Sequence, residues 1–146
     1  MIARDFIMRM VQMLFDAIAK VLQRDVPGVV PDIPQIQRRF NEMYNQFFHR
    51  PAEHYYVKNK EEILVELENE GYSEPEMFAI IQMLSELIYQ DALIKNNFHE
   101  KFALLEKSLF LLEYLDRNSS TFSWDRGQKI AEIRKAMDEV NTSDLK

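Results

Sequence analysis

Three glycines, at positions 28, 71 and 127, and five prolines, none beyond Pro75, are all that this 146-residue chain has for turning back on itself. A fold of many short strands needs a turn signal every few residues, and so few breakers cannot supply them. Apolar residues instead recur at every third or fourth position through most of the chain, which is the period of an amphipathic helix. At 47% hydrophobic residues the chain is too apolar to remain disordered. The expectation is an all-α protein: one domain over residues 1–146, with about six helices stacked as antiparallel helical hairpins.

The first helix is expected over about residues 3–23. At about 100° per residue, Asp5, Arg9, Gln12, Asp16, Lys20 and Gln23 fall on one narrow stripe. Phe6, Ile7, Met10, Val11, Met13, Leu14, Ile18, Val21 and Leu22 cover more than half of the circumference. That arc is wider than one neighbouring helix can cover, and Phe6, Met10 and Met13 stand out on it as a docking or self-association face. Arg9 and Asp16 interrupt the apolar stretch, so it reads neither as a signal peptide nor as a membrane-spanning helix. The segment RDVPGVVPDIP then stops the helix. It carries Val26, Val29, Val30 and Ile33 and reads as an ordered connector.

A second helix is expected from about Pro34, striped by Ile36, Phe40, Met43, Tyr44 and Phe47, and is interrupted at Pro51. Asn59 with Glu62, and Ser73 with Glu76, have the spacing of capping boxes and open the third and fourth helices. The fourth, MFAIIQMLSELIYQDALI, is apolar on most faces and belongs at the centre. Asn97 with Glu100 opens a fifth, and a sixth runs from about Ser123 to Asn141, leaving 142–146 as a frayed tail. DRNSSTFS, between the last two helices, is rich in residues that cap helices and form turns. It reads as a turn rather than a catalytic loop, because no histidine within reach could activate its serines. Ser123 or Thr121 is the expected cap, with Phe122 and Trp124 packing back on the preceding helix.

Two clusters invite chemistry. In HRPAEH, His49, Glu53 and His54 are candidate metal ligands, but Pro51 breaks the helix and the two histidines are five apart, not one turn. Around the same break Phe48, Arg50, Tyr55 and Tyr56 form an aromatic patch able to grip a peptide or stack a base, if its rings are exposed. No cofactor is expected, since no glycine-rich phosphate loop is present and cysteine is absent. The lack of cysteine also suits a cytoplasmic setting.

The net charge of −6 is unevenly spread: residues 61–94 hold nine Asp/Glu and no Lys/Arg, while residues 1–60 hold nine Lys/Arg against six Asp/Glu. An acidic middle of this kind argues against a phosphate-tracking, nucleic-acid-binding surface; it reads either as a solvated helix face or as a landing surface for a basic partner or the basic end of a second copy.

RDFIMRMVQMLFDAIAKVL resembles the opening of a bacterial domain-of-unknown-function family of small helical proteins. Residues 98–137 resemble a tetratricopeptide-type helix hairpin, FALLEKSLFLLEYLD being similar to the second helix of such repeats. These resemblances imply a tetratricopeptide-like or irregular helical bundle used for protein contacts, and they supply no catalytic residue. The leading expectation is a non-enzymatic protein-interaction or assembly module in a bacterial cytoplasm, with a protein partner or a homodimer. The rival is a small-molecule or metal-dependent enzyme with its site near His49, Glu53 and His54.

Overall fold

The computed structural model describes residues 4–22, 28 and 30–144. Seven helices and no strand occur among the described residues: α1 Arg4–Leu22, α2 Ile33–Phe48, α3 Ala52–Val57, α4 Lys60–Asn69, α5 Glu74–Leu93, α6 Phe98–Asn118 and α7 Trp124–Asp144. The protein is all-α, as its periodicity dictates. The helix beyond the expected six is α3, where the sequence suggested only an interruption. Pro51 starts it instead of breaking one: a proline ahead of a helix loses no helical donor, and its carbonyl accepts the His54 N–H at 3.0 Å. At the other end α7 continues to Asp144, with the Thr142 hydroxyl bonded to the Asp138 carbonyl at 2.8 Å. Residues 145 and 146 of the expected frayed tail lie outside the described residues, as do Val26 and Val29 of the connector.

The chain divides into two compact units, Met1–Val57 and Lys58–Lys146. In the first, Asp32 caps α2 by accepting the Gln35 N–H at 3.2 Å, and Pro34 sits in the first turn, where its missing donor costs nothing. The helix ends at His49, whose φ of 59° is left-handed and whose N–H returns to the Asn45 carbonyl. Phe40, Met43 and Tyr44 of α2 are buried, as are Ala52 and Tyr55 of α3 and Leu14 and Ile18 of α1.

In the second unit both capping boxes form as their spacing requires. Asn59 and Glu62 bond reciprocally at the start of α4, and Ser73 and Glu76 do so at the start of α5. Gly71 makes the turn between these helices at a φ of +80°, a conformation most side chains avoid. α5 is the central element, buried on most faces through Met77, Ile81, Met83, Leu84, Leu87, Ile88 and Ala92. Each fully buried Leu or Ile of this kind stabilises the fold by roughly 1.5–3 kcal/mol relative to an exposed one.

Helix α6 packs against α5 on one side and α7 on another, and α4 also lies against α6. Ser85 and Ser108 join α5 to α6 reciprocally: the Ser108 hydroxyl donates to the Ser85 carbonyl at 2.7 Å, and the Ser85 hydroxyl lies 3.0 Å from the Ser108 carbonyl. Side chains this small let two backbones approach closely while every polar group finds a partner. Arg126 to Asp116 and Arg134 to Glu113, each at 2.8 Å, tie α7 to α6. No helix among the described residues is long and apolar enough to cross a membrane.

Candidate functional site

The aromatic residues around Pro51 come together, though mostly inward. Tyr44 and Tyr55 stack with centroids 5.6 Å apart, and Phe48 and His54 meet Tyr55 edge-on at 6.3 and 5.0 Å. Tyr56 presents its edge to Tyr44, and its hydroxyl accepts from the Gln37 amide at 3.1 Å. Tyr55 is only 4% exposed, so a residue expected on a contact surface belongs to the core instead. The reason lies in α3: a helical turn after Pro51 rotates Tyr55 beneath α2, where an extended loop would have alternated the two tyrosines. Phe48 and Tyr56 are half-buried, and Arg50 is exposed.

The candidate metal ligands do not converge on a site. His49 and Glu53 are exposed, His54 packs against Tyr55, and no group of three His, Asp or Glu side chains among the described residues is arranged to hold an ion. A left-handed residue ending one helix and a proline starting the next separate these side chains, where a continuous helix would align them.

On α1 the broad apolar arc is only partly covered. Its centre, Leu14 and Ile18, is buried, and Met10 is half-buried on its edge. Phe6 and Met13, seven residues apart and hence on one line, are 50% and 49% exposed, and Met8, on the opposite shoulder, is 60% exposed. Between the shoulders runs the expected polar stripe, with the Gln12 amide bonded to Asp16 at 2.8 Å.

The second unit holds an ionic cluster around the buried Glu86. Lys129 lies 3.2 Å from both Glu86 and Glu132, with its ammonium 4.7 Å above the Tyr89 ring. Burial opposes the charged ammonium, but the Glu86 and Glu132 carboxylates outweigh it and hold the Lys129 pKa above its ordinary value. Burial, joined by the carboxylates of Glu132, Glu86 and Glu139 against the opposing Lys129, raises the Tyr89 phenol. Lys107 shows the reverse balance: burial lowers its pKa, and Glu106 and Glu62 only partly oppose that. With Glu86 and Tyr89 on α5 and Lys129 on α7, the cluster reads as a clamp of α7 on α5.

The turn before α7 yields residues that sequence reasoning misplaced. Ser123 caps α7, accepting the Arg126 N–H at 3.2 Å. Phe122 and Trp124, however, do not pack back on α6; they are 88% and 66% exposed. The polar residues around them close the turn by themselves. Ser119 bonds with Thr121, and Arg126 bridges the Thr121 carbonyl at 2.9 Å and Asp116 at 2.8 Å. With its backbone satisfied in this way, the turn has no use for the two rings as packing. A signal was present in the sequence, since Phe122 has polar neighbours on both sides and lies outside the apolar period of either helix.

At the far end of the same hairpin, the first turns of α6 and the last turns of α7 border a half-open concavity of about 240 Å³ lined by Phe98, His99, Phe102, Ala103, Glu106, Val140 and Asn141. No protein-family model, curated protein or solved structure matches this chain.

Proposed function

We propose that the chain is a non-enzymatic protein-interaction or assembly module whose first contact surface is the outer shoulder of α1. The observation that supports this reading is the half-exposure of Phe6 and Met13 on one line of that helix, beside the half-buried Met10. Fully burying a side chain of this size is worth roughly 1.5–3 kcal/mol, so removing the remaining exposed half of each from water contributes about 1 kcal/mol per residue, enough for the pair to act as an anchor. The charged stripe beside it would form the polar rim of such a contact. A second copy of the chain, pairing shoulder to shoulder, is the simplest partner, because a self-complementary apolar face gives a closed dimer. The acidic stretch of 61–94, with Glu61, Glu62 and Glu66 along α4 and Glu70 at its C-cap, favours a basic protein surface as a further partner and disfavours nucleic acid.

Light scattering on the purified chain and on a Phe6→Asp, Met13→Asp variant tests the reading. Met13 is chosen over Met10 because Met10 is half-buried, and a charge there would also disturb folding. The expected result is a two-chain mass that falls to one chain in the variant. Equal masses for the two proteins would remove α1 as the contact surface between copies.

A further inference from the structure

The chain has eight methionines and no cysteine, so mild two-electron oxidation falls first on thioether sulfur. Exposure decides which of these sulfurs reacts. Met43, Met77 and Met83 are buried in the interiors of the two units, and Met10 and Met137 are half-buried. Among the described residues the exposed methionines are Met8 and Met13, and both belong to α1. Readily oxidised sulfur is thus confined to the helix that carries the proposed contact, and Met13 stands on the contact line itself, beside Phe6.

We infer that Met13 is a reversible oxidation site whose state decides whether α1 binds a second copy of the chain. This control rests on the α1 contact proposed above. The oxidant is hydrogen peroxide: the Met13 sulfur takes one peroxide oxygen as the O–O bond breaks, losing two electrons, and the other oxygen leaves as water with both protons. The sulfoxide that results is a strong hydrogen-bond acceptor where a thioether had been. Carried into an apolar contact, that oxygen gives up water without a donor in return. A contact between identical faces holds two Met13 side chains, so oxidation of both weakens the association by roughly tenfold or more.

Met8 supplies the comparison. It lies on the opposite shoulder, across the polar stripe, so its sulfur stays in water whether or not copies pair through Phe6 and Met13. Pairing shields Met13 and leaves Met8 open, and oxidation of Met13 prevents the pairing that would have shielded it. By linkage the two effects have one origin, and each opposes the other.

The test treats the full-length chain with dilute hydrogen peroxide, below and above the concentration at which it pairs. Peptide mass spectrometry follows the oxygen added at each methionine. Below that concentration Met8 and Met13 should oxidise together, ahead of Met43, Met77 and Met83; above it Met13 should lag Met8 several-fold. In light scattering the two-chain mass should fall to one chain as Met13 sulfoxide accumulates. The two methionine sulfoxide reductases, one for each epimer, should restore it with a thiol reductant. Met13→Leu, close in volume, should keep its two-chain mass through the same treatment, whereas Met8→Leu should lose it as the parent does. Circular dichroism should be the same before and after oxidation. A two-chain mass that survives complete oxidation of Met13 overturns the inference and leaves the α1 contact standing. A one-chain mass before any peroxide is added removes the contact, and the control with it. Helicity lost in step with Met13 oxidation, or buried methionines that react as fast as Met13, also overturns the inference, since the mass would then follow unfolding.

Discussion

The two units solve the same problem, covering apolar helix faces, in different ways. In Lys58–Lys146 a mostly buried helix, α5, is surrounded by aliphatic side chains, and most of the polar groups that enter the interior do so in pairs: Ser85 with Ser108, Glu86 with Lys129, Asp91 with Lys95 at 3.3 Å. In Met1–Val57 the interior relies on aromatic rings, Phe40, Tyr44 and Tyr55, and α1 leaves large apolar side chains in water on both shoulders. A packed aliphatic interior with paired polar groups selects one arrangement of helices. A thin aromatic interior with uncovered shoulders leaves surface for contact with another molecule. The packed aliphatic interior thus belongs to the second unit, while large apolar side chains are left uncovered in both, on α1 in the first and at Phe122 and Trp124 in the second.

The severest challenge to that contrast is truncation of each interior. Phe40→Ala in the first unit should cost about 3–5 kcal/mol and Leu84→Ala in the second about 2–5 kcal/mol, both read from denaturant midpoints. A cost below about 1 kcal/mol at Phe40 would mean that the aromatic interior is not a core at all. Next in size is the clamp of α7. Lys129→Met strips the buried Glu86 of its half-buried cationic partner and should cost about 1–3 kcal/mol at neutral pH.

The same clamp has a pH signature. The Lys129 and Tyr89 pKa values are raised above their ordinary 10.5 and 10.0, so their stabilisation is complete below about pH 10 and is lost as pH climbs through the folded values. Lys107, lowered from 10.5, acts in the opposite sense, its penalty fading as pH rises through the same range. Thermal melting followed from pH 8 upward should therefore fall above about pH 10.5, and it should fall less steeply in the Lys129→Met variant.

Ser108→Ala is smaller, about 0.5–1.5 kcal/mol, since it removes one hydrogen bond and leaves the Ser85 hydroxyl close to the Ser108 carbonyl. Comparable per residue, Phe6→Asp with Met13→Asp should cost the isolated chain about 1 kcal/mol each, because half of each side chain is in water already and only the packed half is lost. A large loss there would show that the α1 shoulders are part of an interior, and the contrast between the units would collapse.

Much of this organisation was legible in the sequence. The capping pairs Asn59–Glu62 and Ser73–Glu76 fixed two helix starts to the residue, since a cap depends only on groups three positions apart. The near-continuous apolar run of residues 77–94 announced the central helix. What escaped was set by surroundings that local pattern does not carry. Pro51 can end one helix or begin another, and only the His54 bond to its carbonyl tells which. Whether Tyr55 or Tyr56 turns inward depends on that helix. Phe122 and Trp124 were assigned to packing on hydrophobicity alone, but Ser119, Thr121 and Arg126 complete the turn without them. The candidate surface on α1 was readable as an arc, and its division into a covered centre and bare shoulders was not.

The reciprocal bonds between Ser85 and Ser108 work as a detent. Sliding α6 by one turn along α5 would break both at once and press larger residues into a gap sized for two hydroxyls, so the hairpin has a single register. Insertions in the 94–97 connection leave that alignment untouched, whereas one added residue between positions 86 and 93 would rotate what precedes it by about 100° and carry Ser85 away from its partner. Drift in the length of this hairpin is thereby confined to four residues at its tip.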